Sequence, residues 1–129
     1  MELKTHKKID SRFSGEVLEL KEGYSKILLR TISEMAADEE GLVHGGFTFS
    51  AADFAAMCAV NEPYVVLTGA DVKFLAPVKI GQEVLFEANV IENDGKKSKV
   101  EVVGRVGEKE VFKGIFKTYT LDKHVLDNR

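Results

Sequence analysis

The spacing of apolar and polar residues predicts six β-strands. Two strands are expected before residue 33, at 14–20 and 24–32, with a turn at 22–23 between them. After Pro63 the apolar spacing has a period of two, which indicates strands with one buried face. Four strands are expected there, at 64–75, 83–92, 97–106 and 110–121. The first of these four strands is expected to carry Val66, Thr68, Ala70, Val72 and Phe74 on one face.

One long helix is expected between the two groups of strands. Residues 47–61 carry two apolar stripes that together nearly encircle a helix, which is typical of a buried helix, and Pro63 ends the segment. The polar connection at 33–41 has room for a short helical turn. Strands segregated from a single helix indicate an α+β fold. The last four strands are expected to form an antiparallel meander, in a curved sheet wrapped around the helix.

Size and charge narrow the range of functions. The chain has the length of a single domain, residues 1–129, in which residues 1–10 are expected to form a flexible, solvated arm. It has 18 basic and 21 acidic residues and a formal net charge of −3, which gives no electrostatic argument for binding nucleic acid or an anionic membrane. No apolar stretch follows the charged N-terminus, so we expect no signal peptide and a cytoplasmic location. The lone Cys58 fits a small buried hydrophobe.

The distribution of charge is more informative than the total. Charged residues make up 30% of the chain, so a window of 21 residues should hold about six of them. Residues 41–61 hold one, Asp53. The glycines and polar side chains in this window argue against a membrane span. We therefore expect the window to be buried within protein.

Asp53 is the first candidate for chemistry. An ionised carboxylate in the middle of an apolar helix is costly unless it is paired or hydrogen-bonded. Its helical neighbours include one polar side chain, Ser50, and no basic residue. We expect Asp53 to face a cleft or a partner subunit; the structural alternative is that it fills an outward gap or bonds a backbone amide across an interface. Apolar surroundings raise the pKa of a carboxyl group, which suits a general base or a nucleophile.

His44, Gly45 and Gly46 directly precede the predicted helix. Two glycines let a ligand approach the backbone closely, and the free N–H groups of a helix start stabilise a developing oxyanion. Gly45 and Asp53 are eight residues apart, about 12 Å along a helix at 1.5 Å per residue. They cannot meet within one helix, but they can meet across a twofold axis between antiparallel helices. The sequence therefore predicts a homodimer with shared sites.

The chain resembles the hotdog-fold acyl-CoA thioesterases, in particular the phenylacetate-degradation (PaaI-like) and 4-hydroxybenzoyl-CoA thioesterase group. The resemblance covers roughly residues 12–121 and depends on three segments: GLVHGG at 41–46, AD at 52–53 and VKFLAPVKIG at 72–81. It implies an antiparallel sheet of about six strands around one long central helix, in a homodimer or a dimer of dimers. It also implies hydrolysis of an aryl- or medium-chain acyl-CoA, with CoA as part of the substrate and with no metal or separate cofactor.

The resemblance also implies roles for individual residues. Asp53 corresponds to the general base or nucleophile, and the Gly45 N–H to the donor that polarises the thioester carbonyl across the subunit interface. His44 and Gly46 correspond to substrate-binding positions. Many such enzymes carry a Ser or Thr that helps to place the water, and the strand candidate here is Thr68. The lysines of residues 96–99 are candidates for contacts with CoA phosphates, although a solvated hairpin face is the simpler interpretation.

Two other functions fit the same fold. A hotdog domain that binds acyl-CoA without cleaving it would not need a buried carboxylate. A hotdog-fold hydratase usually has an acid about five residues before a histidine, in a turn that contains Asn-Pro. Glu39 lies five residues before His44, but the Asn-Pro pair is missing. A hydratase is therefore the least favoured of the three functions.

Overall fold

The computed structural model describes residues 1–127, which form six strands and one long helix. The long helix α2 spans Gly45–Val60, and a four-residue helix that the sequence pattern did not predict, α1, spans Ser11–Ser14. Short 3₁₀ turns lie at Ser33–Met35 and Val125–Asp127. The strands are β1 Glu16–Lys21, β2 Tyr24–Arg30, β3 Val65–Phe74, β4 Glu83–Asn93, β5 Lys97–Val106 and β6 Lys109–Thr120.

The strands form one antiparallel sheet in the order β1-β2-β4-β5-β6-β3. The expected meander of the last four strands is therefore wrong for β3, which pairs with β6 at the far edge, while β4 pairs with β2. The cause is the connection at residues 75–82, which does not turn back as a hairpin. It bonds instead to the turn before α2, through Val43 N–H to Val78 O (2.8 Å) and Ile80 N–H to Gly41 O (2.8 Å).

The helix α2 lies against the inner face of this sheet and is buried on nearly all sides, as its apolar stripes predict. Small residues such as Ala51, Ala55 and Cys58 are fully buried and let the helix approach the strands closely. Burial raises the pKa of the Cys58 thiol to about 12, so this cysteine is an unreactive core residue at neutral pH. One central helix wrapped by an antiparallel sheet is the hotdog fold that the resemblance implies. Within residues 1–127, no helix has the length and apolar character to cross a bilayer.

The N-terminal segment is docked against the end of α2, so the expected arm at residues 1–10 is wrong for residues 2–5. Asn61 ends the helix in the left-handed conformation (φ 51°), and its side chain is buried. Its Nδ2 donates to Glu2 O (2.9 Å) and its Oδ1 accepts from Lys4 N–H (2.7 Å). Thr5 is buried beside them. A side-chain amide fixes this segment, and hydrophobic patterning gives no signal for such a contact.

A β-bulge at Thr68 changes which residues of β3 face the helix. Leu67 pairs with Thr118 and Gly69 pairs with Lys117, so Thr68 is the extra residue. Before the bulge, Leu67 opposes the buried Thr118; after it, Ala70 opposes the buried Phe116. The prediction that five residues share one face is therefore wrong: Ala70, Val72 and Phe74 share a face, and the bulge separates Val66 and Thr68 from them.

Candidate active site

The start of α2 is fixed by backbone hydrogen bonds to two other segments. Val43 N–H donates to Val78 O (2.8 Å), and His44 N–H donates to Met35 O (2.9 Å). Gly41 has a positive φ of 86°, a conformation that favours glycine and that redirects the chain into this turn. The position of the first helical residue, Gly45, is therefore set by its surroundings on both sides.

The start of α2 offers the amides of Gly45 and Gly46 as hydrogen-bond donors, while the next amide, Phe47 N–H, donates to His44 O (3.1 Å). His44 is the N-cap residue and makes no side-chain capping bond. The N–H groups of Gly45 and Gly46 have no acceptor inside the helix, because the first four amides of any helix lack one. The positive end of the helix dipole lies at the same place. Residues 44–46, which we call the donor turn, are therefore suited to hold a carbonyl oxygen that gains negative charge.

His44 and Gly46 are in direct contact. The His44 ring packs edge-on against Phe47, with ring centroids 6.1 Å apart. A Cβ built on Gly46 would come within 2.8 Å of His44 Nε2, so glycine leaves the space that the ring occupies. The structure therefore places His44 at the helix start, beside the donor turn.

An apolar cavity of about 350 Å³ opens beside Gly45, between the start of α2 and the end of β3. A Cβ built on Gly45 would lie 3.2 Å from Phe74 Cε1, so the Phe74 ring forms the wall nearest the donor turn. Phe74 remains 55% exposed and Leu75 48% exposed in the single chain. Sequence reasoning assigned Phe74 to the strand face but missed its contact with Gly45, because only the tertiary structure brings the end of β3 to the helix start.

Asp53 lies two turns further along α2, and one of its oxygens has no partner in the part of the chain that the structure describes. Asp53 Oδ1 is buried and accepts no hydrogen bond from residues 1–127. Its one polar helical neighbour, Ser50, is already bonded to Ser14 Oγ (2.7 Å), a residue of α1. Burial raises the pKa of Asp53 from 3.8 to about 6. The structure thus contains a half-buried carboxylate with a raised pKa and an unsatisfied oxygen.

Of the five predicted site residues, the structure brings His44, Gly45 and Gly46 together. Asp53 is on the same helix, about 12 Å from Gly45 at 1.5 Å per residue. One chain therefore does not unite the acid and the donor.

Thr68 does not join the other site residues. The bulge gives it the outward orientation of Lys117, and its hydroxyl donates to Lys117 O (3.1 Å). Within the single chain, the strand candidate Thr68 therefore does not reach the helix start, because one extra residue in β3 reverses the alternation at that point.

The family model described as "Thioesterase superfamily" matches residues 40–113. This match contains the donor turn, Asp53 and all of β3. Among solved structures, the chain is similar to the uncharacterized protein PH1136 of Pyrococcus horikoshii, with 51% identity, a TM-score of 0.97 and coverage of 98% of both chains. A hypothetical thioesterase with coenzyme A from Streptococcus pneumoniae shares the fold, with a TM-score of 0.78, 16% identity and coverage of 88% of this chain and 91% of that one.

Curated relatives match the chain over only part of their own length. A methylthioribose-1-phosphate isomerase of Aquifex aeolicus is 53% identical over 121 residues, which are 94% of this chain but 26% of that protein. A transcription factor FapR of Caldanaerobacter subterraneus is 31% identical over 116 residues, 89% of this chain and 58% of that protein. The activities of those whole proteins therefore do not define this chain. The family model, in contrast, matches more than half of the chain, which belongs to the thioesterase superfamily.

Proposed function

We propose that the protein hydrolyses an aryl- or medium-chain acyl-CoA thioester to the free acid and CoA. The observation that carries this proposal is the buried Oδ1 of Asp53, which has no hydrogen-bond partner among residues 1–127 and belongs to a carboxylate whose pKa is raised to about 6 by burial. A packed core has no use for such a group, whereas a general base or nucleophile needs one. The superfamily membership and the coenzyme A in the S. pneumoniae relative support the same substrate class.

In the proposed reaction, the thioester carbonyl accepts a hydrogen bond from the Gly45 N–H. Asp53, contributed by the other subunit, activates the attacking water as a general base or attacks the carbonyl carbon itself. In the general-base route, the water oxygen forms the new carbon–oxygen bond, the carbon–sulfur bond breaks, and the proton taken from water leaves with the CoA thiolate. In the nucleophilic route, Asp53 displaces the CoA thiolate and forms a mixed anhydride. Water then hydrolyses this anhydride to the free acid and the Asp53 carboxylate, and a proton of that water goes to the thiolate. His44 and Gly46 border the thioester at the donor turn. The apolar cavity beside Phe74 is suited to bind apolar parts of the substrate.

The same proposal requires a homodimer. The donor and the acid lie about 12 Å apart on one helix, so a twofold pair of antiparallel helices is the simplest arrangement that unites them. The exposed Phe74 and Leu75 at the end of the edge strand β3 are consistent with a surface that is covered by a partner. A solution mass of one chain at working concentration, together with full activity, would contradict the shared site.

Release of free thiol from a panel of aryl- and fatty-acyl-CoAs tests the function directly. We expect turnover of at least one member by the unmodified protein. If no CoA thioester of the panel released free thiol while the protein still bound acyl-CoA, the proposal that the protein is an enzyme would be contradicted.

The pH dependence of kcat/KM is expected to follow the ionisation of Asp53. Its pKa is raised from 3.8 to about 6, and the ionised form is the active one. Activity is therefore expected to be constant above about pH 7 and to fall roughly tenfold per pH unit below about pH 6. Initial rates in buffers of constant ionic strength check this profile. A rate that stays unchanged down to pH 4.5 would contradict a catalytic role for this carboxylate.

A binding module without catalysis is the second candidate, because the similarity extends to transcription factors over 89% of this chain. Such a protein binds acyl-CoA and releases no thiol. The thiol-release panel therefore distinguishes the two candidates when it is combined with a direct binding measurement.

A further inference from the structure

Two buried side-chain oxygens have no hydrogen-bond partner within residues 1–127, Asp53 Oδ1 and Thr118 Oγ1. The first belongs to the proposed site, whereas the second lies on β6, a strand that contributes no residue to the proposed reaction. Each such atom costs free energy, because a buried polar group has given up its hydrogen bonds to water. Native proteins contain few of them, so each one calls for an explanation.

Thr118 belongs to a row of otherwise nonpolar residues on the inner face of the sheet. Alternate residues of a strand point to the same face, and Phe112, Gly114 and Phe116 precede Thr118 on the buried face of β6. Thr118 itself is only 2% exposed. Valine has nearly the same shape and would fill this position without a polar group. The hydroxyl group, and not the packing, is therefore the feature to explain.

The strand neighbours of Thr118 do not engage its hydroxyl group. Thr118 lies opposite Leu67 of β3 and opposite Ser98 of β5. The Leu67 side chain has no polar atom, and Ser98 Oγ accepts a hydrogen bond from Asn93 Nδ2 (2.8 Å). A partner for the hydroxyl group must therefore come from the direction of the helix.

The helix α2 and the strand β6 run in the same direction. Gly45, at the start of α2, contacts Phe74 at the end of β3. The end of α2 leads through residues 61–64 into the start of β3. The helix is therefore antiparallel to β3, and β6 is antiparallel to β3 as well. Steps along α2 and along β6 thus advance the same way through the fold.

Asp53 and Thr118 lie at the same level of the fold. The rings of Phe49 and Phe116 are in contact, with centroids 5.5 Å apart, and they join α2 to β6. Asp53 comes four residues after Phe49, on the same side of the helix and about 6 Å further along it. Thr118 comes two residues after Phe116, on the same face of the strand and about 7 Å further along it. The carboxylate and the hydroxyl group therefore border the same part of the interior without bonding to each other.

We infer that Asp53 and Thr118 of one subunit hold the attacking water between them, and that this water attacks the thioester directly. The inference rests on the proposed function and deepens it, because it selects the general-base route over attack by Asp53 itself. The Thr118 hydroxyl donates to the water oxygen, and the water donates to Asp53 Oδ1, so both buried oxygens gain a partner. Two hydrogen bonds orient the remaining lone pair of the water, which lowers the entropy cost of the attack. Thr68, the sequence candidate for this task, faces the other side of the sheet.

The proton follows a closed path in this step. The water oxygen bonds to the carbonyl carbon while Asp53 takes a water proton, and the carbonyl oxygen gains negative charge beside the Gly45 N–H of the other subunit. The carbon–sulfur bond then breaks, and the proton passes from Asp53 to the CoA thiolate. Thr118 keeps its own proton throughout. Its role is to position the water, so its loss should slow turnover and leave substrate binding unchanged.

Removal of the hydroxyl group with the shape retained tests this role. Thr118→Val is expected to lower kcat about tenfold, the size of one hydrogen bond, with little change in KM. Thr118→Ser keeps a hydroxyl group and is expected to retain at least about a third of the parent kcat. Ser98→Ala is the matched control, because Ser98 is buried on the same face of the next strand and its hydroxyl already has a partner. Its kcat is expected to stay within about twofold of the parent.

Combination with Asp53→Asn distinguishes positioning of the water from a packing defect. If both groups act on one water, Thr118→Val should lower the residual rate of Asp53→Asn by less than about twofold. A packing defect would lower the rates of both proteins by the same factor, and that result would overturn the inference. Thr118→Val should unfold at the temperature of the parent or at a higher one, because it removes a buried hydroxyl that has no partner among residues 1–127.

A single turnover in H₂¹⁸O, with enzyme in excess over thioester, tests direct attack by water. Direct attack places one labelled oxygen in the first acid that is released. An unlabelled first product, with the label in the Asp53 carboxylate, would show that Asp53 attacks the carbonyl carbon. That result would overturn the inference while leaving the proposed hydrolysis intact.

A crystal structure of the parent protein separates this inference from the proposed function. We expect a water within about 3.2 Å of both Asp53 Oδ1 and Thr118 Oγ1, and its loss in Thr118→Val. Such a water in a protein that releases no thiol from any CoA thioester would contradict the function alone. A side chain of the partner subunit bonded to Thr118 Oγ1 in place of the water, or an unchanged kcat in Thr118→Val, would overturn the inference.

Discussion

Replacement of Asp53 by alanine is expected to lower the rate of thiol release by at least about a hundredfold, the range for loss of a main catalytic acid or base. No other carboxylate can substitute from the same helix, because Asp53 is its only charged residue. The loss is expected in kcat as well as in kcat/KM, since the carboxylate acts on water or on the carbonyl carbon and not on the bulk of the substrate. Steady-state kinetics with the best thioester of the panel measures it.

Stability separates a catalytic role of Asp53 from a structural one. Its pKa in the folded chain, about 6, lies above the ordinary value of 3.8. The folded state therefore binds the proton more tightly, and the stability contributed by this group falls as the pH rises from about 3.8 through about 6. At pH 7.5 the ionised carboxylate disfavours folding. Asp53→Asn, which keeps the shape without the charge, should unfold at the same temperature as the parent or at a higher one.

Two results would contradict this assignment. Retention of thiol release within tenfold of the parent by Asp53→Ala would show that the carboxylate is not the main catalyst. A lower unfolding temperature of Asp53→Asn at pH 7.5 would show that the charged form has a structural partner. Undiminished CoA binding by Asp53→Asn, together with lost turnover, is the result that supports catalysis.

Local patterning was sufficient to predict the central helix and to single out the candidate residues on it. The gap in charge at residues 41–61 corresponds to the buried helix and the turn that precedes it. A helix that is apolar on every side must be buried on every side. A single acidic residue in such a helix is costly to bury, which marks it as a candidate functional residue. These features depend on residues that are neighbours in sequence.

The predictions that failed depend on contacts between distant segments. The place of β3 at the sheet edge is set by the hydrogen bonds between residues 75–82 and the turn before α2, and a period of two does not encode strand order. The bulge at Thr68 adds one residue, which reverses the faces of β3 without changing its composition. The docking of residues 2–5 depends on the side chain of Asn61.

The second large effect is expected at Gly45, where proline and alanine test the donor separately from the space around it. Gly45 is the first residue of α2, a position that accepts proline. His44 has φ −63° and ψ 130°, a conformation compatible with a following proline. Gly45→Pro removes the N–H and is expected to lower kcat about a hundredfold to a thousandfold, as for loss of an oxyanion donor. Gly45→Ala keeps the N–H but adds the same Cβ, 3.2 Å from Phe74 Cε1, and should lose far less.

Mixing the two inactive chains tests whether a site is shared. In a dimer of one Asp53→Asn chain and one Gly45→Pro chain, one site has both defects and the other has an intact Asp53 and an intact Gly45. Random reassociation gives about half heterodimers, each with one of two sites intact, so about a quarter of the parent activity should return. Unfolding and refolding the chains together, with each variant refolded alone as the control, measures this. If the acid and the donor of a site came from the same chain, every site would keep a defect, and no activity would return.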